Sequence, residues 1–95
     1  MCTYATNITP TMASVRGATD WVAADTLMVY VDHPYHLGAP HSVNVDFSDA
    51  QGTPLQRVQL ELTPAAARQL AAELIAAVDS VDPGIFGPER QLQAR

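Results

Sequence analysis

Three stretches of this chain alternate apolar and polar residues with a period of two, and a fourth repeats its apolar residues at three and four. Leu27, Val29, Val31 and His33 share one parity, as do His41, Val43, Val45 and Phe47. Each stretch therefore reads as a strand with one apolar face. Pro34 to Pro40 between them reads as a hairpin loop. In Leu55 to Leu62, Val58, Leu60 and Leu62 fall on one side and Arg57, Gln59 and Glu61 on the other, which describes a strand with one wet side. From Ala67 through Leu70, Ala71, Leu74, Val78 and Val81 the spacing turns helical, with Arg68, Gln69, Glu73 and Asp79 on the opposite face. Thr63-Pro64 starts this helix, because the Thr hydroxyl can cap free N–H groups and a Pro at the first helical position gives up a donor that had no partner. Ala66 stands where a capping box would need Glu or Gln. Pro83-Gly84 ends it.

Ahead of the hairpin, residues 2 to 9 carry the Thr, Tyr and Ile composition of a strand. Pro10 to Asp20 is mixed: Met12 and Val15 can continue as an edge strand, and Gly17 to Asp20 reads as a turn. Trp21 to His33 is the longest strand candidate, with Ala23 to Asp25 as a bulge or break. Asp49 to Pro54 has the chemistry of a loop. The fold expected is α+β: an antiparallel sheet of four to five strands in the order ββββα, with one C-terminal helix packed on its apolar face. Residues 1–81 form the single domain, and 82–95 a loose or partner-docking tail in which Ile85 and Phe86 are an apolar anchor. Burying Leu70, Leu74 and Val78 under the sheet is worth roughly 1.5–3 kcal/mol each, so Leu74→Asp is expected to unfold the domain.

The chain has 95 residues, 47% hydrophobic but only 6% aromatic, and so a small core. Help from a second copy or a bound metal is a natural supplement. A homodimer is expected, with the second copy on the face that shows Met28 and Tyr30 among Thr26, Asn44 and Asp46. The net charge of −5, with five scattered arginines and no lysine, excludes a nucleic-acid binder. Pro64 to Val81 is interrupted by Arg68, Glu73 and Asp79, so no membrane span is expected. No basic segment leads into an apolar core at the start, and the single cysteine forms no internal disulfide; a cytoplasmic location is expected.

The chemistry concentrates in the hairpin, which holds all three histidines, His33, His36 and His41. If the loop closes an antiparallel pair, His33 and His41 stand nearly opposite, with Cβ atoms roughly 4.5–5.5 Å apart, and His36 hangs beside them. Three neutral imidazoles can hold a transition metal and leave a position open for water or a small-molecule substrate. Zn is the first expectation, with Cu or Fe behind it, and Cys2 is a fourth ligand if the first strand brings it to that end. A Zn site would favour hydrolysis and an Fe or Cu site redox chemistry. The competing reading is a non-catalytic dimeric interaction or structural module without metal, whose histidines only finish strand ends. Asp32 and Asp46 have the opposite parity to the neighbouring histidines and make poor ligands. No Ser-His-Asp order, phosphate loop or dinucleotide fingerprint occurs.

Met1-Cys2-Thr3-Tyr4 and Asp32-His33-Pro34-Tyr35-His36 resemble the signatures of a family of small bacterial proteins of unknown function that begin Met-Cys-Thr-Tyr and carry a central Asp-His-Pro-x-His. The likeness runs through Leu62-Thr63-Pro64-Ala65-Ala66-Ala67-Arg68 to about Val81. It implies these segment boundaries and brings no activity, cofactor or catalytic residue.

Overall fold

A computed structural model describes residues 4–49 and 57–89. Strands β1 (Thr6–Arg16), β2 (Trp21–Asp32), β3 (Ser42–Ser48) and β4 (Val58–Leu62) form one antiparallel meander in the order β1-β2-β3-β4. Helix α1 (Pro64–Asp79) follows, then a 3-10 turn over Pro83–Phe86. The class is α+β, as the pattern of the chain predicts, and α1 contacts β3 and β4.

The expected first strand and the mixed segment after it are one element, β1; residues 2 and 3 lie outside the described residues. Gly17 N–H donates to the Asp20 carbonyl at 2.8 Å, closing the expected turn. The irregularity expected at Ala23 to Asp25 sits on the facing strand instead. Pro10 pairs with Thr26 and Ala13 with Ala24, so Thr11 and Met12 oppose the single residue Asp25. Pro10 has no amide to give the ladder, and an extra residue beside it on an edge strand is the usual accommodation.

The register sorts the sheet into two faces. Leu27, Val29 and Val31 line up with Phe47, Val45 and Val43, and these with Val58, Leu60 and Leu62. The other face carries Met28, Tyr30 and Asp32 with Asp46, Asn44 and Ser42, then Gln59 and Glu61. The polar face is the more deeply buried at its centre: Ser42, Asn44 and Asp46 are 2, 5 and 2% exposed, and Ala24 is the one buried apolar residue among those described.

Thr63 caps α1 as expected, its Oγ1 accepting from the Ala66 amide at 3.1 Å. The helix contacts β3 and β4, but the burial expected of Leu70, Leu74 and Val78 is not found. No residue of α1 is buried, and exposure climbs from 37% at Leu70 to 59% at Leu74 and Val78 and 63% at Ile75. Of α1 only Ala66 and Ala67 are even partly buried, so the sheet covers little of the apolar stripe beyond the first turn of the helix. The lost burial also removes the reason for Leu74→Asp to unfold an isolated chain.

Candidate functional site

Asp32 ends β2 and His41 immediately precedes β3, so the ladder pair Asp32 and Ser42 sets His33 and His41 side by side at one end of the sheet. Their rings stack, with centroids 4.5 Å apart and planes 25° from parallel, and Tyr4 meets His41 edge-on at 5.2 Å. The cross-strand pair expected from parity is therefore present. His33 is fixed twice: its amide donates to Asp32 Oδ1 at 2.7 Å, and its Nδ1 lies 2.8 Å from the Pro40 carbonyl. A carbonyl only accepts, so Nδ1 carries the proton and the lone pair sits on Nε2. Of His41, Nε2 is buried without a hydrogen-bond partner. A buried polar atom left unpaired costs about 1–3 kcal/mol and calls for an explanation.

His36 is held elsewhere. The amides of Tyr35, His36 and Leu37 all donate to the Glu61 carboxylate, the last two at 2.9 Å. The hairpin loop is thereby pinned to β4, on the polar side of the sheet. These amides, Leu37 and Tyr35 foremost, hold the Glu61 carboxyl below its ordinary range. No ring contact joins His36 to the stacked pair, and among the described residues no three His, Cys, Asp or Glu side chains are grouped to share a metal ion. Cys2 lies outside the described residues.

The residues set aside as poor ligands build the polar face around the loop. Tyr30 Oη donates to both oxygens of Asp46, at 3.2 and 3.4 Å, Gln59 Nε2 donates at 3.4 Å, and Arg57 stands 3.9 Å away. Ser42 Oγ donates to Asn44 Oδ1 at 2.5 Å. Burial, and then the charge of Asp46, raise the Tyr30 phenol above its ordinary value. A groove of about 180 Å³ runs over this face, with Tyr30, Asp32, Asn44 and Asp46 along it and Tyr35 and Glu61 at its loop end. Glu61 is the functional residue that sequence reasoning missed: it read as the wet side of β4. One signal was available, since Pro34 to Pro40 contains no Asp, Asn, Ser or Thr side chain to accept from its own amides.

The chain matches, over residues 1–87, the model of a family of unknown function, DUF6295. The match takes in the Pro83–Phe86 turn. No curated protein and no solved structure matches the chain. Among the described residues no helix is long and apolar enough to cross a membrane.

Proposed function

The chain belongs to this family of unknown function, whose description assigns no chemistry, and from its own residues we propose that it binds one transition metal through His33 and His41. Cys2 is the third donor, Zn the first candidate, and Cu or Fe the next. One observation carries the reading: His41 Nε2 is buried and unpaired beside a second imidazole whose Nδ1 is already engaged. Engagement of Nδ1 by a backbone carbonyl is the usual support that leaves Nε2 for a metal. The rings are nearly parallel as they stand, and a turn about the broad terminal torsion of each imidazole would aim the two lone pairs at one point. Tyr4 touches His41, and Cys2 is two residues earlier, within about 7 Å of chain. His36, carried on the loop that Glu61 pins, is outside this set. An open position on such a metal would admit water or a small substrate, with hydrolytic chemistry for Zn and redox chemistry for Fe or Cu.

Elemental analysis of protein purified without an affinity tag tests the proposal. Bound metal that falls in His33→Ala and His41→Ala supports it. Less than about a tenth of an equivalent of every metal, or undiminished metal in both variants, refutes it.

A second reading, a non-catalytic module that assembles with itself, is favoured by a separate observation: Ala24 is the one buried apolar residue described, while Ile8, Ile75, Ile85 and Phe86 are each more than 60% exposed. On this reading, replacing all three histidines by Gln leaves assembly intact.

A further inference from the structure

An amphipathic stripe needs a cover, and the sheet supplies only part of one for α1. Leu74, Ile75 and Val78 remain 59, 63 and 59% exposed, and Ile85 and Phe86, in the turn after the helix, 71 and 63%. Large apolar side chains left this exposed, close together in the chain, mark a contact surface. We infer that the outer face of α1, extended by the Pro83–Phe86 turn, is the interface of a two-fold homodimer. This rests on the reading of the chain as a self-assembling module and says where the assembly forms.

Three arguments select a second copy as the occupant. The first is area: these five side chains expose roughly 600 Å² per copy, or about 1,200 Å² across a symmetric pair, the lower end of specific interfaces. The second is stability. A chain whose described residues bury one apolar side chain gains stability from a cover, and a second copy is the partner present in equal amount from synthesis onward.

The third is charge. Arg68 and Asp79 are eleven residues apart on α1, which is three turns plus about 20°, so they occupy one flank of the stripe about 16 Å apart. Helices related by a two-fold axis and running antiparallel bring like flanks together. With the axis near Leu74 and Ile75, the Arg68 end of one flank meets the Asp79 end of the other, twice per dimer. The flank is complementary to itself. The face expected to take the second copy is less suited: its centre is the buried polar row of Ser42, Asn44 and Asp46, already joined to neighbouring side chains by hydrogen bonds.

Light scattering and sedimentation of the full chain from low to high micromolar concentration test the interface, with circular dichroism to verify folding. The wild type is expected to be a dimer and Leu74→Asp a folded monomer. Should Leu74→Asp not fold, charge reversal decides. Arg68→Glu is expected to weaken association about tenfold, and adding Asp79→Arg to restore it. A dimer indifferent to Leu74→Asp, or to Arg68→Glu alone, overturns this interface while leaving self-assembly standing. A wild-type monomer at high micromolar concentration overturns both.

Discussion

Asp46→Asn is the most informative change on the polar face, because it removes a charge and almost no volume from a side chain that is 3% exposed. Among the described residues the native carboxylate has four contacts, and all are long. Hydroxyl and amide donors prefer about 2.7–3.0 Å, whereas the Tyr30 and Gln59 contacts span 3.2–3.4 Å. Each is worth the low end of a net hydrogen bond, about 0.5–1 kcal/mol. Arg57, 3.9 Å away and 45% exposed, adds about 0.5 kcal/mol or less. Against a total near 2 kcal/mol stands the cost of burying a carboxylate, several kcal/mol even after relaxation. Asn keeps an acceptor for Tyr30, and Gln59 can turn its amide to meet the new donor. The expected result is a stability within about 1 kcal/mol of wild type for Asp46→Asn, and a loss of about 1–3 kcal/mol for Asp46→Ala, which strands Tyr30 Oη and Gln59 and opens a small void. Urea unfolding at one fixed protein concentration measures both, the slope confirming that the same surface is exposed. Tyrosinate absorbance gives a second readout: in Asp46→Asn the Tyr30 phenol should titrate closer to 10.0 but still above it, because burial is the larger cause of its rise. A loss above about 3 kcal/mol for Asp46→Asn would refute the reasoning, since the charge itself would then hold the sheet together.

The elements most legible in the chain were those whose boundaries are local chemistry. Thr63-Pro64 announced the start of α1, and the alternation in Val43 to Phe47 and Val58 to Leu62 gave both strands and their apolar face. Parity also placed His33 beside His41. Periodicity reports which side of a helix is apolar and is silent on what lies against it, which is why Leu74 and Val78 read as core and stand exposed. The bulge was displaced for a similar reason. Ala23 to Asp25 interrupts an apolar pattern, but the constraint is the missing amide of Pro10, and the extra residue goes to the strand that carries it. Glu61 was the least legible, since its partners lie 24 to 26 residues earlier and nothing in the β4 pattern separates it from a solvated carboxylate. The same contacts took His36 away from the other two histidines: loop length gives reach, whereas the hydrogen bonds of the loop decide direction.

Two local devices give further tests. Thr63→Ala removes the acceptor for the Ala66 amide and should cost about 1 kcal/mol in urea unfolding, with Thr63→Ser close to wild type; an unchanged midpoint for the Ala variant would show that the cap is frayed. The Glu61 clamp should appear as an acid-sensitive loop. Its carboxyl titrates below the ordinary 4.5 because three amides bond to the charged form, so the folded state binds that proton less readily than the unfolded state. Stability from the clamp is therefore present above the unfolded value and lost as pH falls through the folded one. Amide exchange and chemical shifts at Tyr35, His36 and Leu37, followed downward from neutral pH, should change together in that acid window, while strand amides at Val43 and Val45 hold. Glu61→Gln should abolish the transition and leave the three amides exchanging faster at neutral pH. A pH profile of the loop that is the same in wild type and Glu61→Gln would mean that the carboxylate does not pin it, and the separation of His36 from His33 and His41 would then need another cause.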